Sequence, residues 1–385
     1  MGTVTETEIV PFSVPYFAGN ELDHLAKVVS SSHTQGDGPF TRSATQRLKQ
    51  ITGSPGNILL TTSCSHALDM SLQLLGVGPG DEVIVPSYNF PSAGNSVALR
   101  GAHCVFVDCD PHSGNVDPEH VIAASNSRTK AVIVMHYAGV PVVLEPILAY
   151  ASGHGMAVIE DAAHGLGVQT TVGTLGTRGT FGAFSFHASK NLQCGEGGAL
   201  LVNDPRYELP AEIVREKGTN RSQFIRGEVD KYTWIGRGSS YLPSEYNAAV
   251  LDAQLGAFGE IQRMREAIWN RYSTALADWA AEQAVELMQP HLEIHASHMF
   301  YLLTPTWDAQ GELISHLRSR GVCATFHYQP LHSSPAGVRW GQPFGDLAHS
   351  TNFAHRVVRL PLWAGMSERQ VERVIDAVVS WRVAS

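Results

Sequence analysis

Lys190 stands in the run FSFHASKN, just ahead of the Gly-rich CGEGGA. An amine held in a walled pocket loses its proton near neutral pH and becomes a nucleophile. Most lysines are solvated surface charges, so the position alone says little. Asp161 closes the apolar run MAVIED, where a buried carboxylate is costly unless it faces a cation or several donors. A pyridinium nitrogen would be such a cation; a salt bridge or a helix cap would serve as well. In TTSCSHAL, Ser63 and Ser65 precede a helix-like stretch, whose free N–H groups and dipole suit a phosphate. Taken singly, either serine is more simply read as a cap. Phe90 in PSYNF adds a flat apolar face. Amine, carboxylate, anion seat and aromatic together are what pyridoxal 5′-phosphate requires.

These residues must be brought together by the elements that carry them. Between 57 and 204, short apolar runs alternate with longer mixed segments: NILLT, EVIVP, CVFVD, AVIVMHY, MAVIED, FGAFSF and GALLVN. Continuous rather than alternating runs read as strands buried on both faces of a mostly parallel sheet. Helix-like HALDMSLQLLG and EPILAYASGHG lie between them, so the fold class is α/β, an open sheet with helices on both sides. In such sheets ligands sit at the carboxyl ends of the strands, and that is where Cys64, Ser65, Phe90, Asp161 and Lys190 follow their runs. Beyond Leu242 the pattern changes. Residues 244–277 read as one long amphipathic helix opened by a Ser-Glu cap, followed by a strand in YLLTPTW and helices in GELISHLRSRG and SERQVERVIDAVVSW. We expect a large domain over 1–260 and a smaller C-terminal α/β domain over 261–385.

Composition removes several classes. The 385 residues suffice for two to three units of roughly 150 residues, and 43% hydrophobic against 16% charged residues describes a folded globular chain. The 27 Lys and Arg against 36 Asp and Glu leave −9 and no basic run, so nucleic acid is not an expected partner. Apolar runs fall short of the roughly 20 residues that span a bilayer. MGTVTETEIV lacks the basic and apolar regions of a signal peptide, and Glu6 stands where a myristoylation signal after Gly2 needs Ser or Thr. A cytoplasmic protein without membrane contact is expected. Five cysteines without C-x-x-C read as reduced thiols, and the 18 histidines show no metal-ligand spacing, so no metal is expected.

The segments GDGPFT (36–41), PGDEVIVPSYNF (79–90), IEDAAHGLG (159–167), FSFHASKNLQCGEGGALLVND (184–204) and HYQPLH (327–332) resemble the DegT/DnrJ/StrS sugar aminotransferases over essentially the whole chain. That resemblance implies the fold type I architecture of pyridoxal 5′-phosphate enzymes. It makes Lys190 the Schiff-base lysine, Asp161 the partner of the ring nitrogen, His164 the neighbour of the ring hydroxyl and Phe90 the ring stack. Ser185 falls at a phosphate-binding hydroxyl and Cys64-Ser65 at the phosphate turn, where many members have Gly-Thr. Ser240 stands near the place of an Asn that reaches the phosphate from a neighbouring subunit, so a homodimer is implied. The stretch 215–234 with GSSYLPSEYNAA is similar to dTDP-4-amino-4,6-dideoxygalactose transaminases, which implies dTDP-4-dehydro-6-deoxy-D-glucose and L-glutamate as substrates and a pyridoxamine 5′-phosphate form between the half-reactions. Lys217, Arg221 and Arg226 are then candidates for the diphosphate or the donor's carboxylate, and His327 for the sugar, with Tyr328 and His332 behind it.

Four rival readings are weighed. A C3-directed aminotransferase is the alternative within the family, and a dehydratase, which has His at the lysine position, is disfavoured by Lys190. A nicotinamide-dependent nucleotide-sugar oxidoreductase would need G-x-G-x-x-G after the first strand, where the chain reads TSCSHA. A non-enzymatic scaffold would have no need of lysine, carboxylate and phosphate turn together.

Overall fold

The computed structural model describes residues 9–289 and 294–383. The first eight residues, including Gly2 and Glu6, on which the reading of the chain's start rests, lie outside that set. Each of the seven apolar runs is a strand: β1 (Asn57–Thr61), β2 (Glu82–Pro86), β3 (His103–Val107), β4 (Thr129–Met135), β5 (Ala157–Asp161), β8 (Phe181–Ser185) and β9 (Gly198–Val202). The short β6 (Gln169–Thr170) and β7 (Gly173–Thr174) pair as a hairpin. The C-terminal part adds β10 (Glu286–Leu287), β11 (Phe300–Leu303), β12 (Gly341–Pro343) and β13 (Val357–Leu360).

The main sheet has the order β1-β9-β8-β5-β4-β2-β3-β12. Neighbours from β8 to β12 run parallel, and β9 is antiparallel to both β1 and β8. Both faces are covered, as the continuous runs require. Val83, Ile133 and Ile159 pack into one core, and Ile84, Val132 and Val158 into another. β10, β11 and β13 form a separate antiparallel sheet. Its core of Phe300, Leu302 and Val358, with Leu313 and Val374 from the helices Trp307–Ser319 and Glu368–Val379, is continuous with Tyr88, Met135 and Tyr137 at the ends of large-sheet strands. This continuity fixes β13 against the carboxyl edge of the main sheet. Two segments cross between the lobes: β12 pairs with β3, and Val10 bridges Val322.

Two expectations change. Residues 244–277 are not one helix but Glu245–Gly256 and Phe258–Ala275, parted at Ala257. The first ends in a tightened turn, with the Ala257 N–H on the Gln254 carbonyl. Gly256 is a poor helix former, and Phe258 is held against Gly167, where a Cβ would meet its ring at 2.3 Å. Glu245–Gly256 is also buried on most of its surface rather than amphipathic. Ser244 caps it, and the Glu245 carboxylate is used elsewhere, accepting from Gly38, Phe40 and Thr41 N–H groups at the start of the helix Pro39–Thr52. The GDGPFT motif is therefore structural, with Asp37 paired to the buried Arg215 at 2.7 Å. The second change is at β4, which stops at Met135; Tyr137 lies in a single turn in which Ala138 has φ 57°. Among the described residues, no helix is long and apolar enough to cross a membrane.

Candidate active site

Strands β1, β2, β5 and β8 end around one cavity of about 380 Å³. Cys64, Ser65, Phe90, Asp161, Ser185 and Lys190 all line it. The turn after β1 leads into the helix Cys64–Leu74, capped by Ser63, whose side chain accepts from the His66 N–H. Cys64 and Ser65 occupy its first two positions, where N–H groups have no carbonyl within the helix. Ser65 Oγ lies 2.5 Å from Ser92 Oγ, in the first turn of a second helix, Pro91–Leu99. Two helix starts and five serines thus face one volume, a seat for an anion. The turn is held close by Gly198 on β9, where a Cβ would come within 2.3 Å of the Ser63 carbonyl carbon and 2.4 Å of the Cys64 nitrogen.

Alternation along β5 sends its two terminal carboxylates to opposite faces. Glu160 is fully buried and saturated, accepting from His136 and from the Gly176, Arg178 and Gly179 amides at 2.6–3.0 Å. Asp161, 5% exposed, accepts through Oδ1 from the Ala163 N–H at 3.1 Å and, weakly, from the Cys64 thiol at 3.9 Å. Burial raises its pKa, against the pull of the Ala163 N–H and the Lys190 charge. Lys190 is itself buried, and that burial, opposed by Asp161, brings its pKa down to about 8. The donor set suits pyridoxal 5′-phosphate: a readily neutralised amine, a carboxylate with a free oxygen for a cation, and an anion seat.

Lys190, Phe90, Ser189 and Tyr328 also line a second cavity, of about 310 Å³, with His164, His298, His327 and Arg359. His164 is stacked on His298 at 4.2 Å, and its Nδ1 is buried without a partner among the described residues. Burial holds both imidazoles, and that of His327, well below the ordinary histidine range. His327 is fixed by the Tyr137 hydroxyl at 2.7 Å. Tyr328 stands between the cavities, 3.4 Å from His164 Nε2 and 5.9 Å between ring centres from Phe90; its short distance from His327 in sequence was the one available signal. His332 turns aside to Ser87 Oγ at 2.6 Å.

Lys217, Arg221, Arg226 and Ser240 are not brought to either cavity of their own chain. Lys217 and Arg221 pair with Glu216, and Arg226 with Glu212 and Glu228. Ser240 is exposed, bridged through its backbone to Glu216. Arg359 and His298 were not singled out from sequence, because neither lies in a run whose neighbours mark it as chemical.

Residues 15–379 match the profile of the DegT/DnrJ/EryC1/StrS aminotransferase family. The chain belongs to that family. DegT/DnrJ/EryC1/StrS enzymes depend on pyridoxal 5′-phosphate, so the cofactor that fits the residues is also that of the family, and the fold is their type I architecture. Among similar solved structures, the aminotransferase TlmJ from Streptoalloteichus hindustanus is 29% identical with a TM-score of 0.89, covering 97% of this chain and 98% of its own. DesV of S. venezuelae, solved with a ketimine intermediate, is 30% identical with a TM-score of 0.85 over 95% of each chain. A family member from Brucella abortus is 28% identical with a TM-score of 0.85, over 95% and 96% of the two chains. The oxidoreductase and scaffold readings are left without support.

Proposed function

We propose that this aminotransferase moves the amino group of L-glutamate to C4 of dTDP-4-dehydro-6-deoxy-D-glucose, giving a dTDP-4-amino-4,6-dideoxy hexose and 2-oxoglutarate. The observation that carries the amino-transfer step is Lys190 beside a half-satisfied Asp161 in one cavity with two helix starts. The nucleotide sugar and the C4 position rest on the similarity of the 215–249 stretch.

Pyridoxal 5′-phosphate, when bound, supplies an aldehyde for amines and a ring that draws off the electron pair left on carbon. Lys190 is assigned to hold that aldehyde at rest; once displaced, its Nζ would take the proton from Cα of the donor and deliver it to the cofactor's C4′, and in the second half-reaction it would carry a proton from C4′ to C4 of the sugar. The free oxygen of Asp161 keeps the ring nitrogen protonated. The first-turn N–H groups of Cys64 and Ser65, with the Ser185 hydroxyl, bind the phosphate. Phe90 covers one ring face, and His164 offers its imidazole to the ring hydroxyl. His327 is assigned to the sugar side.

A homodimer completes this reading. Phe224, Ile225, Tyr232, Trp234 and Ile235 are 43–77% exposed within one short stretch, an apolar patch of the kind that marks an interface. Ser240, Lys217, Arg221 and Arg226 belong to the same region, and we assign them to the site of the partner chain.

The test is the visible spectrum of the cofactor-loaded protein before and after L-glutamate, with Lys190→Ala alongside. Conversion to the pyridoxamine form in the wild type but not in the variant is expected, followed by return of the original spectrum on adding the keto sugar. NMR of the product locates the new amine: C4 is expected, and C3 would move the enzyme to the alternative within its family.

A further inference from the structure

His298, just ahead of β11, is 9% exposed and lines the second cavity. Which of its ring nitrogens carries the hydrogen follows from a chain of amides. The Ala296 carbonyl can only accept, so the atoms turned to it are amide nitrogens, Asn191 Nδ2 at 2.9 Å and Gln262 Nε2 at 3.0 Å. Asn191 Nδ2 also donates to Gln262 Oε1 at 2.8 Å. Asn191 therefore turns Oδ1 to His298, whose Nδ1 lies 2.8 Å away. An amide oxygen accepts, so the hydrogen sits on Nδ1 and Nε2 carries a lone pair. Burial keeps this imidazole uncharged near pH 7, and the charges of Lys190, Arg265 and Arg359 act in the same sense. Nε2 has no hydrogen-bond partner among the described residues. The ring is held rigidly, stacked on His164 at 4.2 Å, with the buried Arg265 donating to the Ser297 and His298 carbonyls. Asn191 follows Lys190 directly in the chain, so the network ties a fixed acceptor to the reacting amine.

A fixed lone pair selects what comes to it. The carboxylates of an amino-acid donor offer only oxygens that accept, and a bare ring nitrogen repels them. The donor's own nitrogen is the atom being transferred. A sugar, in contrast, brings hydroxyls that donate. Beside the reacting C4 of a 4-dehydro-6-deoxy sugar, C3 bears a hydroxyl, whereas C5 bears a methyl group and the ring oxygen. We propose that His298 Nε2 accepts a hydrogen bond from the C3 hydroxyl of the acceptor, and so selects keto sugars with a hydroxyl next to the carbonyl. His164, His327 and Tyr328, which share the lining, are likewise held neutral by burial, a setting for an uncharged polyol. The proposal rests on the C4 keto-sugar reading and adds the group by which the sugar ring is recognised.

The experiment compares kcat/KM for two acceptors, dTDP-4-dehydro-6-deoxy-D-glucose and its 3-deoxy analogue, in cofactor-loaded wild type, His298→Phe and His298→Gln. A buried acceptor left without its donor is costly, so wild type should favour the 3-hydroxy sugar by roughly 5- to 100-fold. Phe keeps a flat ring against His164 and removes the lone pair, and should bring the two sugars within about threefold of each other. Gln offers an amide oxygen in its place and should keep part of the preference. Each protein serves as its own reference, so general damage to folding or cofactor binding cancels in the ratio. A wild type indifferent to the C3 hydroxyl, or a Phe variant that keeps the full wild-type preference, overturns the proposal. If glutamate changes the cofactor spectrum but neither sugar restores it, the acceptor reading itself falls and takes the proposal with it. Turnover of both sugars with one shared preference in all three proteins fells the proposal alone.

Discussion

At the scale of single residues, the site is a matter of which charges are left incomplete. Lys190 is brought to about 8 by burial, against an ordinary lysine near 10.4. At pH 7.5 about a quarter of it is neutral, compared with about 0.1% of a surface lysine. Only the neutral amine attacks an aldehyde, so capture of pyridoxal 5′-phosphate by the cofactor-free protein should quicken as pH rises through about 8 and level off above it. Stopped-flow absorbance measures this, and a rate still climbing steeply at pH 10 would contradict the walled amine. Asp161 stood out in sequence because it ends an apolar run, whereas Lys190, five residues beyond β8, was singled out by its combination with that carboxylate, the phosphate turn and Phe90. Arg359 and His298 were not, since β13 and the segment before β11 reach the second cavity only through the packing of the C-terminal sheet on the main one. Lys217, Arg221 and Arg226 lie away from both cavities of their own chain, and the site we assign them to is the partner's. Their acidic partners at 212, 216 and 228 lie close by in sequence.

At the scale of elements, the strands were read well because a parallel sheet covered on both faces leaves an unbroken apolar run, a pattern that needs no tertiary knowledge. The helix over 244–277 was read as one because its break depends on Phe258 meeting Gly167, a contact distant in sequence. The β1 turn depends in the same way on β9. Gly198→Ala would drive a methyl group to 2.3 Å from the Ser63 carbonyl carbon, a collision with backbone that must be relieved by moving the turn. We expect a loss of about 1–3 kcal/mol in stability and a larger proportional loss in cofactor affinity, read by thermal unfolding and spectral titration. Gly195→Ala is the control: nothing stands near its added Cβ, but its φ of +78° leaves a backbone cost. It should disturb stability alone.

At the scale of the whole molecule, two lobes are laced together by β12 on the main sheet and by the Val10–Val322 bridge. We propose the division near residue 260 as one of architecture rather than of independent folding. The outer surface matters equally, for the apolar patch around Trp234 has no cover among the described residues. Trp234→Glu should shift the protein from dimer toward monomer in sedimentation, with the cofactor less tightly held, if the partner completes the anion seat. A variant that stays dimeric with unchanged cofactor affinity would place the interface elsewhere.

The paired carboxylates at the end of β5 have one more implication. Glu160 meets four donors on the face away from the chemistry, and a slip of the strand by one residue would exchange it with its neighbour. The slipped strand would strand those donors and bring the saturated acid's place to a residue with the wrong length. Glu160 thus acts as a lock on alignment, although it does not line the cavity that holds Lys190. Damage there would reach the reacting centre through the sheet itself, as an error of position rather than a loss of chemical capacity.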